Sequence, residues 1–316
     1  TQHRSLQCFK ESFFILPEGK GIFMTYVQFI EAIEKKIKKE VTEEKRVSIH
    51  TNMKNNGVKK RGIMITEEGI NISPTIYLEE YYKQFLCGRT QDAIVKDILE
   101  LYEKIRFQDS WKDGEKLKEY DRIKDKIVYR VIGRAANQEL LREVPYKEYQ
   151  DLAIVYYVAL EVDEYGIASM LVKNEHLKMW KIREEDLYYH ACRNTQEIFP
   201  CEFMQMKKIL EELLGFEEEE GPGEQMYILS NEMRNYGAAA LLYPDRLRMA
   251  GEVIGENYYI LPSSVHEVIL VAESEAPEKE ELEALVKEMN ETQVEEEEVL
   301  SNQVYYYDRK SGRLIP

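Results

Sequence analysis

Two rhythms of apolar residues, one at helical spacing and one at alternate positions, divide the chain into elements. From Thr25 the run TYVQ forms a capping box, in which threonine and glutamine satisfy each other's backbone amides. Phe29, Ile30, Ile33 and Ile37 then share one helical face, and Glu31/Lys35 and Glu34/Lys38 form i,i+4 pairs away from it. Val47, Ile49, Thr51 and Met53 alternate, Asn56-Gly57 supplies a turn with positive φ, and Val58 to Thr66 returns as the second strand of a hairpin. Pro74 cannot donate to a ladder and marks an edge or bend. Leu78 to Cys87 reads as a helix stopped by Gly88, and Thr90 to Phe107 as a helix with Ile94, Ile98, Leu101 and Ile105 inward. Trp111 to Lys124 is charged and weakly patterned, and Ile127 to Ile132 and Leu140 to Val144 fit either rhythm.

Leu152 to Leu160 is an uninterrupted apolar run of strand length, reversed by the acidic turn Asp163 to Gly166 and paired with Ile167 to Val172. Two helices are expected at Arg183 to Phe199 and Glu202 to Leu214, parted by Pro200, followed by a loop at Glu217 to Gly223. The stretch Met226 to Ala272 is the centre of the remainder. It holds a strand from Met226 to Leu229, a small-residue helix around Ala238 to Ala240, a helical break at Pro244, and strands at Tyr258 to Leu261 and Val268 to Val271. Glu278 to Glu291 is a charged helix with Leu282, Leu285 and Met289 inward, Glu295 to Glu298 a solvated loop, and Val304 to Ile315 a closing hairpin turned at Lys310-Ser311-Gly312. Helices interspersed with hairpins indicate α+β, with a mixed or mainly antiparallel sheet, packed helices and two lobes. The expected division is a non-native or disordered leader at 1–23, an N-terminal α+β lobe at 24–144 and a C-terminal α+β lobe at 145–316, with Pro145 at the boundary.

Charge changes the picture more than overall composition does. The chain carries a net −16, yet residues 1–61 hold 13 Lys/Arg against 7 Asp/Glu, and residues 211–316 hold 8 against 25. An acidic C-terminal half repels phosphate backbones, which argues against a nucleic-acid partner and leaves an acidic nucleic-acid mimic as an alternative. Cysteines at 8, 87, 192 and 201 show neither CxxC nor zinc-like spacing, so free thiols in a reducing, cytoplasmic compartment are expected. The longest apolar run, nine residues, is too short to cross a bilayer.

Candidate chemistry is sparse. Ser263-Ser264-Val265-His266-Glu267 offers a hydroxyl, an imidazole and a carboxylate, but triads are assembled from separate segments rather than from neighbours. Pro262-Ser263-Ser264 also reads as a bend whose hydroxyls satisfy local backbone. Cys192 lies two residues from His190 on a helix, on another face, so a Cys–His pair needs His266 or His176. The hydrolase or transferase alternative therefore rests on His266 with Ser264 or Cys192. The amides, hydroxyls and carboxylate near strand ends, among them Asn71, Ser73, Asn231, Ser263 and Glu267, are candidates for a polar ligand and equally ordinary turn residues. Histidine spacing gives no metal motif, and no Walker loop or GxGxxG occurs, so no cofactor is expected. The leading expectation is a non-catalytic binding or regulatory module whose partner is another protein.

Six stretches taken together, KNNGV (54–58), NISPTIYL (71–78), DLAIVYY (151–157), NEHLKMW (174–180), NYGAAALLYP (235–244) and ILPSSVHEVIL (260–270), resemble an uncharacterised domain-of-unknown-function family, number 5688, of anaerobic gut Firmicutes. The resemblance runs from about Met24 to Tyr307. It implies a bacterial cytosolic protein and lends no activity, ligand or catalytic residue.

Overall fold

A computed structural model of the chain describes residues 24–67, 73–105, 114–163, 166–209 and 226–316. The expected leader, Asn71, the Trp111-Lys112-Asp113 start of the charged segment, the Glu164-Tyr165 turn and the Glu217 to Gly223 loop lie outside the described residues. The described residues form two compact units, one drawn from 24–52 and 59–114, the other from 53–58 and 115–316.

In the first unit, α1 (Tyr26–Glu40) begins at the capping box read from the sequence, and Phe29, Ile30, Ile33 and Ile37 are its buried face. Strands β1 (Lys45–Met53), β2 (Lys59–Glu67) and β3 (Thr75–Tyr77) form a three-stranded sheet in that order. Helices α2 (Glu79–Leu86) and α3 (Gln91–Ile105) complete the unit. The α1 stripe meets Ile63, Ile65, Ile76, Leu78, Ile94 and Ile98 in one core. Gly88 at φ 93° ends α2, as its position suggests.

The second unit holds two sheets. Strand β6 (Leu152–Asp163) is the axis of one. Along one edge it pairs with β4 (Ile127–Gly133), and its other partners are β5 (Tyr146–Tyr149) and β7 (Gly166–Leu171), all antiparallel. Because β4 precedes Pro145 and β6 follows it, that proline lies between two paired strands of the second unit. Every residue of β4 is buried, which resolves its ambiguous pattern as a strand covered on both faces although it pairs with β6 alone. Helices α4 (Asn174–Trp180) and α5 (Glu184–Ile198) follow. Thr195 of α5 ties the helix to the sheet, its Oγ1 accepting from the Tyr129 amide at 3.0 Å.

The second sheet runs β13-β12-β10-β11-β9-β8. Its strands are β8 (Cys201–Gln205), β9 (Met226–Asn231), β10 (Tyr258–Leu261), β11 (Val268–Ala272), β12 (Tyr305–Asp308) and β13 (Arg313–Ile315), each pair antiparallel. The helix expected from Glu202 is thus a strand over its first residues: Phe203 and Gln205 pair with Leu229 and Tyr227 of β9. Between β9 and β10 come a 3-10 turn, Gly237–Leu242, and α6 (Arg246–Ile254). Helix α7 (Lys279–Thr292) turns Leu282, Val286 and Asn290 inward. Leu285 and Met289, expected inward, are exposed. The deciding group is Asn290, whose Nδ2 donates to the Ser301 carbonyl at 3.0 Å and to Asn302 Oδ1 at 2.7 Å. Among the described residues no helix is long and apolar enough to cross a membrane.

Candidate functional site

The bend between β10 and β11, residues 262–267, is where the sequence placed its serines, histidine and glutamate. It is pinned along its length. The amides of Leu300 and Ser301 donate to the carbonyls of Ser263 and Pro262, and the Val265 amide donates to Glu298. On the other side the Ala238 amide donates to the Val265 carbonyl. Glu298 is therefore no purely solvated residue. Its carboxylate also faces His266, with Oε1 3.3 Å from Nε2.

Ser264, His266 and Glu267 each have a local partner on the bend. The Ser264 hydroxyl accepts from the backbone amide of His266 at 3.0 Å and hydrogen-bonds the Glu267 carboxyl. His266 Nδ1 accepts from the Tyr236 amide at 3.3 Å. An N–H aimed at Nδ1 puts the ring proton on Nε2, where it points at Glu298. The imidazole consequently has no lone pair directed at a hydroxyl, and Ser264 has no base. Ser263 and Asn231 are buried, and the Asn231 side chain closes a turn by donating to the Asn235 carbonyl and accepting from the Asn235 amide. Sequence proximity did bring Ser264, His266 and Glu267 into one bonded group, but as a brace for the bend.

Burial pushes the Glu267 carboxyl above its ordinary value, against the favourable influence of His266 and the Ser264 hydroxyl. The folded state then holds this proton more firmly than the unfolded chain does. Its contribution is full below the unfolded value and falls as pH rises through the folded one. Glu267→Gln is expected to flatten that part of the stability–pH profile and to match or exceed the parent at pH 8. Urea midpoints at pH 4.5 and 8 check this; a variant that loses most stability at pH 8 would contradict it.

The other candidates lie elsewhere. Cys192 shares a face of α5 with Glu184 and Tyr188 and is hydrogen-bonded to Tyr188. Burial raises its thiol, outweighing the pull of Lys147, so the thiolate needed for nucleophilic attack is disfavoured. His190 meets Tyr120 and Tyr189 instead, at ring separations of 5.8 and 5.3 Å. His176 Nδ1 accepts from the Lys173 amide. Ser73 belongs to the first unit, where its hydroxyl donates to the Ile65 carbonyl at 2.7 Å. Among the described residues no three His, Cys, Asp or Glu side chains are placed to hold a metal ion. A groove of about 830 Å³ between α1 and α3, lined by Lys36, Asp92, Lys96, Leu99 and Glu103 among others, mixes both charges.

What the sequence reading missed is the neighbour of His266. The Tyr236 ring lies 5.6 Å from the imidazole, and the guanidinium carbon of Arg130 lies 3.7 Å from the centre of that ring. The same guanidinium sits 4.1 Å from the Tyr157 ring. Arg130 and Tyr157 project from the same face of β4 and β6 (Val128 being opposite Tyr157), and a tight turn brings Tyr236 over them. That turn uses φ of 47° at Arg234 and 52° at Tyr236, an uncommon conformation for bulky residues. The one signal available beforehand was a cation inside the apolar run IVYRVI at 127–132.

A family model described as a family of unknown function (DUF5688) matches residues 26–309. No curated protein and no solved structure matches the chain.

Proposed function

The chain belongs to the family of unknown function DUF5688, and from that premise we propose that it works by binding another protein in the bacterial cytoplasm, without catalysis. The observation that carries this reading is the occupancy of His266, with a backbone amide at Nδ1 and Glu298 at Nε2. A general base must have an acceptor site within reach of the proton it removes. Supporting the protein partner are apolar pairs one helical turn apart on exposed faces: Met249 and Val253 of α6, Leu285 and Met289 of α7. Supporting the compartment are the free thiols of Cys87, Cys192 and Cys201.

His266→Ala tests the reading. It removes the partner of the Tyr236 amide and of Glu298, and should cost about 1–2 kcal/mol of unfolding free energy. It should leave turnover on a broad panel of ester, amide and phosphoester substrates at the parent's background. Turnover by the parent that disappears in His266→Ala would replace this reading with the hydrolase.

A further inference from the structure

Arg130 is buried to 8% exposure in the middle of a fully buried strand. A guanidinium withdrawn from water is costly unless it is paired. Elsewhere in this acidic chain, arginines on the surface have carboxylates beside them: Arg234 forks onto Glu202, and Arg248 lies between Asp245 and Glu252. Among the described residues no carboxylate forms an ion pair with Arg130, whose hydrogen-bond acceptor is the neutral Ser169 hydroxyl, 2.9 Å from Nη2. Its remaining N–H groups have no acceptor among them. Among the described residues the side-chain atoms both sealed from solvent and without a partner are at Glu79, Arg246 and Asn290, so the Arg130 nitrogens that lack an acceptor are not sealed off.

We propose that Arg130, held against the rings of Tyr157 and Tyr236, is the anchor of a binding site for a carboxylate, supplied by a small organic acid or by the C-terminus of a peptide. The two rings stand 3.7 and 4.1 Å from the guanidinium carbon and offer no oxyanion partner, so an oxyanion must arrive at the N–H edge they leave free. A planar carboxylate meets that edge with two parallel hydrogen bonds, which a guanidinium fork favours. The rings stabilise the cation through their π-faces and fix the fork without neutralising it, leaving the charge for a ligand. Tyr157, Ser169 and Tyr236 around it are each half-buried, which gives an entering group both apolar and polar surface. This site is separate from the His266 question: it predicts binding whether or not the bend does chemistry.

The experiment is a titration of the full chain, followed by its thermal midpoint and by the side-chain Nε–H signal of Arg130. The probes are acetate, succinate, inorganic phosphate, and N-acetyl-trialanine with a free or an amidated C-terminus, with chloride at matched ionic strength as reference. The free-acid probes should shift both signals saturably, and Arg130→Met should abolish the shift. Arg130→Lys, which keeps charge but loses the fork, should weaken binding by about tenfold or more. Saturation by the free-acid peptide well below succinate assigns a chain terminus, and the reverse order a small acid; both support the site. The proposal is overturned if no carboxylate exceeds chloride, if phosphate binds more tightly than every carboxylate, or if the shifts persist in Arg130→Met. Should Arg130→Met fail to fold, unchanged affinity in Arg130→Lys overturns it equally. Turnover on the substrate panel bears only on the binding reading above, so the two can fail independently.

Discussion

Gly237→Ala is expected to destabilise the second unit by about 3 kcal/mol, near the upper end for overpacking a tight contact. The cause is the closeness of two chain segments, the end of β9 and the bend at His266, to Gly237. A β-carbon there would lie 2.5 Å from the His266 carbonyl oxygen and 2.7 Å from the Asn231 amide nitrogen, and would collide with the Ser230 hydroxyl. Ser230 is already engaged, donating to that same His266 carbonyl at 2.8 Å. Urea unfolding of the purified variant measures the loss. A second variant, Ser230→Ala with Gly237→Ala, should recover only part of it. The remaining obstacles are backbone atoms of β9 and of the bend, which cannot rotate away. A single variant within about 0.5 kcal/mol of the parent would mean the turn relaxes far more easily than its geometry suggests.

Asn137→Ala is the second large effect, also about 3 kcal/mol. Asn137, 2% exposed, follows β4. Its Oδ1 accepts from the Asn56 amide at 2.8 Å, and its Nδ2 points at Asn55 Oδ1, Asn56 Oδ1 and the Gly133 carbonyl at 2.8, 3.0 and 2.8 Å. Two amide protons therefore serve three acceptors. Removing the side chain leaves up to four polar groups without their partner in a partly buried place, where each unmade bond costs more than a made one contributes. Asn137→Asp keeps the acceptor, loses the donors and introduces a charge, and should be no better than alanine at neutral pH. Chemical denaturation of the three proteins decides it. Equal stability of the parent and Asn137→Ala would show that water replaces the amide.

Legibility in the sequence followed the range of the forces involved. The start and the buried face of helix α1 are readable because its cap and its apolar stripe are local. The Asn56-Gly57 turn was readable because φ of 59° and 75° suits those two residues. The run Leu152 to Leu160 was readable because a strand paired on both edges needs apolar residues throughout. Cys201 to Gln205 was not. Its composition suits a helix, and what makes it a strand is β9, a partner more than twenty residues away. The face of α7 departs from its apolar pattern for a related reason: the polar side chain of Asn290 faces the Ser301 carbonyl, and Leu285 and Met289 are left exposed. At the candidate site the serine–histidine–glutamate bend could be seen because its members are neighbours. Arg130, Tyr157 and Tyr236 come from three separated segments, and a guanidinium against two rings leaves no periodic trace.

The Asn55-Asn56 tip also bears on the order in which the protein can be completed during synthesis. The Asn55 amide donates to the carbonyls of Glu297 and Val299, and the Asn56 amide to those of Glu296 and Val299. These partners are separated by 240 to 244 residues. At roughly 5–20 residues per second, the tip waits more than ten seconds after leaving the ribosome before its acceptors exist. The side-chain amides of Asn55 and Asn56 therefore spend that interval without these acceptors, held only through Asn137, and the second unit closes on the tip only once residues 296–299 have emerged.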